Sequence, residues 1–158
     1  MEKSQAVRLG VLAALALALL MVGSYFMSTG QGPDSMVVSF PSGTQMTVEV
    51  ADSPLLLYTG LAFRDSLPPN WGMLFIYERA DFHRRNTRQY RFPVDILWLD
   101  EGKRVVLITE DVTPCLSETC PEYGPPPEKA RYVIETRAGF ARREGLAPGV
   151  GLRFTLKL

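Results

Sequence analysis

The hydrophobic and polar positions divide the chain into one long apolar stretch and a region of short alternating runs. Residues 9–27 are almost all apolar and carry no charge, and their number is close to the ~20 residues that a helix needs to cross a bilayer. A secretory signal usually has a shorter apolar core before its cleavage site, whereas Tyr25 and Phe26 suit a membrane interface. The pattern predicts an uncleaved transmembrane anchor, with a cleaved signal as the alternative.

The charges on the two sides of this stretch predict its orientation. Lys3 and Arg8 precede it, and Asp34 is the first charge after it. The positive-inside rule therefore puts the N-terminus in the cytoplasm and the rest of the chain on the periplasmic side of the cell membrane. We expect the apolar stretch to contact membrane lipid. The predicted organisation is a cytoplasmic tail over 1–8, an anchor over 9–27, a tether over 28–35 and an extracytoplasmic β domain over 36–158.

Short β-strands dominate the pattern beyond residue 36. Residues 37–40 are rich in β-forming side chains, and residues 46–50 alternate apolar and polar side chains after a Pro-Ser-Gly turn. We therefore predict that these two runs pair. Further strands are predicted at 73–77, 96–99, 105–109, 132–135 and 152–158, and residues 100–103 are predicted as a hairpin connection.

Two short helices complete the predicted elements. Ser53 before Pro54 is typical of a helix start, and this helix is expected to end by Gly60. A second helix is predicted over 138–144, because Gly145 suits a left-handed cap at its end. Many short strands with two small helices are typical of a mainly β sandwich or barrel.

The composition narrows the classes of function. The chain has 17 basic and 17 acidic residues, one histidine and two cysteines. A balanced charge argues against a nucleic-acid partner, and so few soft ligands argue against most closed zinc sites. We find no nucleophile elbow and no metal-binding motif, so we predict no catalytic residue, no metal and no cofactor. The alternative to a domain without catalytic residues is that Asp95 and Glu135 form a carboxylate pair for glycoside chemistry.

The two cysteines, Cys115 and Cys120, lie in a loop rich in proline, serine and threonine. On the outer side of a membrane such a pair is expected to form a disulfide. Two free thiols and a redox site are the alternatives, and redox catalysts usually need a two-residue spacing between their cysteines.

Positive charge is concentrated in residues 79–91, which we predict to be an interaction surface. Arginine side chains match carboxylates and phosphates, so the segment suits a protein partner or lipid headgroups, with nucleic acid or an anionic sugar as further alternatives. A solvated loop and edge strand is the alternative without a binding role. The candidate interaction residues are Arg79, Arg84, Arg85, Arg88 and Arg91.

A second set of candidate residues includes a predicted ion pair. Arg64 and Asp95 are expected to pair, either as a salt bridge that fixes the sheet or as the floor of a ligand pocket. Met73 shares a strand face with Phe75 and is expected in the core, whereas Trp71 is expected to be partly exposed. The candidate ligand-binding residues are Arg64, Asp95, Met73 and Trp71.

Several short motifs occur along residues 45–158 in the order found in a known family. They are Val48-Glu49-Val50-Ala51-Asp52, Gly60-Leu61-Ala62-Phe63-Arg64, Gly72-Met73-Leu74-Phe75, Pro93-Val94-Asp95-Ile96-Leu97, and Ala130-Arg131-Tyr132-Val133-Ile134-Glu135 with Ala138-Gly139. As an ordered set, they make the chain resemble the domain of unknown function 192 family. The resemblance implies a compact jelly-roll-like sandwich, often behind an N-terminal signal or anchor, without an assigned biochemical role.

The chain departs from this family at two places. Family members usually carry Trp-Met-Lys-Asn-Thr shortly before a Pro-Leu-Asp motif, and gapless counting between Gly72 and Pro93 puts residues 86–90 there. Of the five motif residues placed at 86–90 by this count, only the positive charge of the lysine is retained, as Arg88. Gly149-Val150 stands where the family usually has Gly-Asp. We therefore expect the role of these positions in relatives to be weakened or lost here.

Two hypotheses of function follow. The first is a non-enzymatic, single-pass membrane protein whose β domain docks to a protein partner or scaffolds a membrane complex as an accessory subunit. The second is a small-molecule or carbohydrate-binding domain, or a divergent enzyme, that uses a cleft near Arg64 and Asp95.

Overall fold

The computed structural model describes residues 12–22 and 34–156, and the chain forms two compact units, Met1–Pro33 and Asp34–Leu158. In the first unit, residues 12–22 are helical. No helix in the described ranges has both the length and the apolar character needed to cross a membrane. The predicted tail, both ends of the predicted anchor and the predicted tether up to residue 33 lie outside the described residues.

The second unit is mainly β with two short helices, which confirms the predicted class of the domain. The strands form one seven-stranded sheet in the order β5-β4-β6-β3-β2-β1-β7. β2 and β3 pair in parallel, and the other neighbouring strands pair antiparallel. The elements in chain order are β1 (Ser35–Ser39), β2 (Gln45–Ala51), α1 (Pro54–Thr59), β3 (Trp71–Asp81), β4 (Val94–Leu99), β5 (Val105–Val112), β6 (Ala130–Arg137), α2 (Phe140–Arg143) and β7 (Arg153–Leu156).

The two edges of this sheet approach each other at one end. Arg104, just before β5, bridges to Gly151, just before β7, and the Val105 N–H donates to the Val150 carbonyl at 2.8 Å. Within residues 34–156 the strands thus form one curled sheet rather than two separate stacked sheets.

The local sequence signals correctly placed the connections and α1. β1 and β2 pair across the predicted turn, and residues 100–103 connect the antiparallel pair β4 and β5. The Ser53 side chain accepts a hydrogen bond from Leu56 N–H at 3.4 Å, and α1 ends at Gly60, which has a φ of +51°. The second helix is only four residues long, and Gly145 follows it with a φ of +61°.

The alternation along the strands gives the sheet an apolar cluster on each of its faces. Leu74 and Leu97 belong to one cluster, whereas Met73 and Trp98 belong to the other, as expected for neighbours that alternate between faces. The prediction of Met73 as a core residue is therefore confirmed. Side chains of α1 pack against the cluster that contains Met73, and we call this side of the sheet the α1 face.

Candidate functional site

A cavity of about 400 Å³ lies on the α1 face, between α1, the loop that follows it and residues 84–89. Its apolar and aromatic lining consists of Pro54, Leu57, Tyr58, Ala62, Phe63 and Tyr77. Its polar lining consists of Thr59, Arg84, Arg85, Asn86, Arg88 and Gln89.

The charged part of this lining is entirely basic. Arg84, Arg85 and Arg88 line the cavity, and the described lining contains no carboxylate. Arg84 and Arg88 are exposed, whereas Arg85 is buried. The cavity thus combines apolar walls with guanidinium groups, which is the chemistry that binds an anion carrying an apolar part.

Arg85 is held by a hydrogen-bonded network beneath the cavity. Its Nε donates to Glu135 Oε1 at 2.8 Å, and its Nη1 donates to the Leu57 carbonyl at 2.8 Å. Tyr90 Oη donates to the second oxygen of Glu135 at 2.5 Å, and Arg85 Nη2 contacts that hydroxyl at 3.4 Å. The guanidinium also lies over the ring of Phe75, 3.7 Å from its centroid. The network links α1, the segment after β3 and the buried strand β6.

The electrostatics of the network favour a charged pair beside a neutral phenol. Burial is the largest single influence on the pKa of Arg85 and lowers it, but the charge of Glu135, the nearby hydroxyls of Tyr90 and Tyr77 and the hydrogen bond to Glu135 together outweigh burial, so the net pKa is raised. Burial, followed by the charge of Glu135, raises the pKa of Tyr90 well above its ordinary value. Burial likewise raises the pKa of Tyr77, and the charge of Arg85 acts against this shift. Arg85 therefore stays cationic, and both tyrosines stay neutral, at neutral pH.

Backbone pairing with two later loops fixes the position of Arg85 and its neighbours. Arg85 and Tyr123 exchange two backbone hydrogen bonds, at 3.0 and 2.7 Å. Cys115 bonds in the same way to the carbonyl of Thr87 and the N–H of Gln89, at 3.1 and 2.9 Å. Cys115 also forms the predicted disulfide with Cys120. The segment that carries the cavity arginines is thus a paired strand-like segment rather than a free loop.

The wall of the cavity contains two non-glycine residues in the left-handed region. Phe63 has a φ of +65° and Gln89 a φ of +59°, and the Phe63 N–H donates to the Gln89 carbonyl at 3.0 Å. A bulky residue with positive φ is a genuine outlier, and such strain concentrates at functional sites. This observation favours the cavity as the functional site of the domain.

The structure corrects one member of the predicted interaction surface. Arg79, Arg84, Arg88 and Arg91 are exposed, as expected for such a surface. The inclusion of Arg85 was wrong, because its side chain is only 8% exposed and pairs with the fully buried Glu135. An arginine is stable there because a buried partner offsets the cost of removing its charge from water.

The predicted ion pair between Arg64 and Asp95 was also wrong. Arg64 makes a bidentate pair with Glu49 instead, at 2.6 and 2.5 Å, and this hydrogen bonding raises the pKa of Arg64. Asp95 is fully buried, and its two oxygens accept the backbone N–H groups of Asp111 and Ala141, each at 2.9 Å. The carboxylate thus caps the start of α2 from a neighbouring strand.

The remaining candidate residues lie apart from the cavity as well. Trp71 is half-buried, as expected, and Met73 is buried in the core. Asp95 and Glu135 cannot act as a carboxylate pair: Asp95 lies opposite Thr136 in the register, and Glu135 lies opposite Ile96. Residues directly opposite share a face and successive residues alternate, so the two carboxylates lie on opposite faces of the sheet. Within the described residues, no group of acidic, histidine or cysteine side chains could hold a metal.

The network of Arg85, Tyr90 and Glu135 was not predicted from the sequence, although the sequence contains one signal for it. Arg85-Asn86-Thr87 repeats the cation-Asn-Thr order of the family motif, three residues earlier than gapless counting placed it. The cation assigned by that count, Arg88, is exposed, whereas Arg85 is buried. Matching the motif to residues 85–87 requires three more residues between it and Pro93 than the gapless count allows.

Comparison with known proteins gives the domain a family and a fold. The model of the DUF192 family, described as "Uncharacterized ACR", matches residues 37–154. A solved structure described as a "putative transcription regulator" from Sinorhizobium meliloti 1021 is similar over 79% of this chain and 98% of its own, with 27% identity and a TM-score of 0.67. A protein of unknown function from Novosphingobium aromaticivorans DSM 12444 is similar over 75% of this chain and 83% of its own, with 26% identity and a TM-score of 0.63. No curated protein matches the chain.

Proposed function

The chain belongs to the domain of unknown function 192 family, and we propose that its β domain is a non-enzymatic binding module for a small organic anion with an apolar part. The observation that carries this proposal is the cavity on the α1 face, in which three arginines and six apolar or aromatic side chains line about 400 Å³. That volume lies in the range of roughly 300–1,000 Å³ typical of small-molecule sites.

The arginines have different roles in this proposal. The negative charge of Glu135 largely offsets that of Arg85, and the hydrogen bonds of Arg85 use three of its five N–H donors. Arg85 therefore presents a fixed, pre-oriented edge to the ligand. Arg84 and Arg88 are exposed, so they supply the net positive charge that attracts a carboxylate, sulfonate or phosphate group.

The cellular setting is part of the proposal. The uncharged stretch 9–27 supports a single-pass anchor with the domain on the periplasmic side. The disulfide of Cys115 and Cys120 is in keeping with an oxidising compartment. In this setting a second role, docking to a protein as an accessory subunit of a membrane complex, is supported by the exposed arginines at 79, 84, 88 and 91.

A DNA-binding role, which the description of the Sinorhizobium protein raises, has less support in this chain. The sequence has equal numbers of basic and acidic residues, whereas a domain that binds DNA neutralises phosphates with a clearly basic face. The arginines at the cavity are few and surround a concave apolar site. They fit a small anion better than a duplex.

Residues 34–158 provide a fragment for binding experiments without the apolar N-terminal stretch. Both apolar clusters lie inside this fragment. The Sinorhizobium protein, whose chain is covered over 98% of its length, is a domain of similar fold. The fragment is therefore expected to fold on its own.

Titration of this fragment with 8-anilinonaphthalene-1-sulfonate, an aromatic sulfonate, tests the cavity. We expect saturable fluorescence that decanoate suppresses and decanol does not, because the arginines select the anionic group. The double variant Arg84→Gln/Arg88→Gln should weaken binding at least about tenfold, since charge-assisted hydrogen bonds are lost. The matched control Arg137→Gln/Arg153→Gln removes two exposed arginines that do not line the cavity and should bind normally. Equal affinity of all three proteins would overturn the proposal.

The proposed anchor is tested on the full chain. Protein recovered from membranes should begin near Met1, keep the full mass of 17.6 kDa and resist carbonate extraction. Protease should reach the domain only from the outer side. An N-terminus near Tyr25 or Gln31 would mean a cleaved signal and would contradict the anchor.

A further inference from the structure

We propose that the rim of the cavity is a surface that docks on an anionic lipid bilayer. The rim carries three large apolar or aromatic side chains that are unusually exposed for a folded domain. Leu55 is 70%, Tyr58 81% and Phe63 65% exposed. Scattered single apolar residues on a surface need no explanation, but a group of large ones beside a cavity marks an interaction site.

These three side chains lie on one side of the domain. Tyr58 and Phe63 both line the cavity. Leu55 precedes Tyr58 by one turn of α1, and residues three apart on a helix are neighbours on the same face. The three residues therefore border one opening rather than three separate places.

The backbone holds one of these side chains in place. Phe63 lies in the left-handed region, with a φ of +65°, and its N–H is bound to the Gln89 carbonyl. Strain of this kind persists only where the surrounding structure enforces it. Contact with a bilayer would bury this phenylalanine, which is 65% exposed in the domain alone.

The charges at the rim select an anionic occupant. Arg84 and Arg88 line the same cavity as Tyr58 and Phe63. The ion pair of Arg84 with Glu122 is long, at 3.5 Å, and both side chains are more than half exposed. Apolar side chains flanked by arginines are the composition of surfaces that insert at the boundary of headgroups and acyl chains, and anionic headgroups attract such arginines.

The length of the connecting chain agrees with a bilayer as the occupant. Residues 28–33 separate the proposed anchor over 9–27 from the domain, and six residues span at most about 20 Å when fully extended. The proposed anchor would therefore keep the domain close to the membrane surface. Docking on a bilayer is distinct from the proposed binding of a small anion. It depends on the exposed side chains of the rim and does not require a ligand in the cavity.

Co-sedimentation of residues 34–158 with lipid vesicles tests this surface. The fragment should bind vesicles of phosphatidylglycerol and phosphatidylcholine, and should bind pure phosphatidylcholine much more weakly. Added salt should weaken binding to the anionic vesicles, because it screens exposed charges. Loss of both arginines in Arg84→Gln/Arg88→Gln should reduce the partition coefficient by roughly fivefold per arginine, whereas the control Arg137→Gln/Arg153→Gln should bind as the wild type does.

Substitution of the apolar rim separates docking from binding in the cavity. Leu55→Gln changes a side chain that does not line the cavity, so it should weaken vesicle binding several-fold and leave the affinity for 8-anilinonaphthalene-1-sulfonate unchanged. Phe63→Asn should weaken vesicle binding further, because it removes an exposed apolar side chain. Asparagine is chosen because it tolerates the positive φ at this position. If that variant unfolds by circular dichroism, Tyr58→Gln on the exposed side of α1 replaces it.

The outcomes decide between the alternatives. The docking surface would be overturned if the wild-type fragment failed to bind anionic vesicles. It would also be overturned if the single variants Leu55→Gln and Tyr58→Gln both bound these vesicles as the wild type does. Capture by immobilised polyglutamate without vesicle binding would also overturn it and would indicate an acidic protein as the partner. Vesicle binding without binding of the sulfonate would support docking and contradict the cavity proposal.

Discussion

Arg85 and Glu135 lie 50 residues apart in the sequence and meet as an ion pair inside the domain, with Arg85 Nε 2.8 Å from Glu135 Oε1. Glu135 belongs to β6, between β4 and β3 in the sheet. Arg85 belongs to the segment that covers this part of the sheet, and it also binds the Leu57 carbonyl in α1. The pair therefore joins the sheet, the helix and the basic segment, which are the three parts that enclose the cavity.

Removal of Arg85 is predicted to be strongly destabilising. Arg85→Ala leaves the carboxylate of Glu135 buried without its cation, and such a loss costs about 3–5 kcal/mol. Urea denaturation of residues 34–158 measures the free energy of unfolding. Arg88→Ala is the matched control: its side chain is exposed, so the change should stay within about 0.5 kcal/mol. Equal effects of the two substitutions would show that the buried pair does not stabilise the fold.

The raised pKa of Tyr90 predicts a loss of stability in alkali. The folded state holds the phenol neutral, with its pKa above the ordinary value of 10.0, so the unfolded state releases this proton first. The contribution of Tyr90 is complete below about pH 10 and is lost as the pH rises above that value.

Urea denaturation at increasing pH tests this linkage. The free energy of unfolding should fall above about pH 10, and the fall should be smaller in Tyr90→Phe. Some of the fall should remain in that variant, because the pKa of Tyr77 is also raised. Tyr58→Phe is the control, since this side chain is 81% exposed. A pH profile of Tyr90→Phe that matches the wild type would contradict the prediction.

Gly60 is predicted to accept no side chain. A Cβ at this position would overlap the Tyr90 hydroxyl and lie 2.7 Å from Arg85 Nη2, and the φ of +51° already disfavours other residues. Gly43→Ala serves as the comparison, because Gly43 also has positive φ but has nothing within 4 Å of an added Cβ. Gly43→Ala should lose about 1 kcal/mol of unfolding free energy, and Gly60→Ala should lose at least about 2 kcal/mol more. Similar losses would mean that the network can shift to make room.

Asp95 is predicted to be a structural residue. Asp95→Ala leaves the buried N–H of Ala141 and the partly buried N–H of Asp111 without their acceptor, and a buried unsatisfied group costs about 1–3 kcal/mol. We expect a loss of about 2–4 kcal/mol in thermal or urea unfolding, with unchanged binding of 8-anilinonaphthalene-1-sulfonate. Asp65→Ala, at a largely exposed position that pairs with Arg91, should change stability by less than about 1 kcal/mol. Loss of sulfonate binding by a folded Asp95→Ala protein would contradict a purely structural role.

Local signals in the sequence were enough for several elements. Ser53, Pro54 and Gly60 define α1 because helix capping depends on side-chain and backbone groups within one turn. The alternation in residues 46–50 located β2, because strand side chains point to opposite faces with a period of two. Strand ends were less exact: β3 continues to Asp81, beyond the predicted 73–77, because pairing with β6 resumes at Asp81, opposite Ala130, after a register shift that the apolar pattern does not show.

The candidate site was only partly visible in the sequence. The basic segment was recognised from its composition, but one buried arginine could not be separated from its exposed neighbours. Arg64 was paired with Asp95 because both lie in family motifs, but Glu49, its actual partner, also lies in one of these motifs, on β2, so membership in a motif could not identify the partner. Partner choice depends on strand order and register, and a parallel neighbour such as β3 beside β2 is not encoded in the spacing of any single motif.

The sequence by itself determined the mainly β class, both short helices and the cysteine pair, since each is signalled by the pattern of residues close together in the chain. It also predicted an apolar stretch suited to a membrane, which stays a prediction. Only the tertiary structure decided that Arg85 is buried, that Asp95 caps α2 and that Asp95 and Glu135 lie on opposite faces of the sheet. The reason is that a charged group is stable in the interior only where distant residues supply its partners, and those partners are brought to it by the fold.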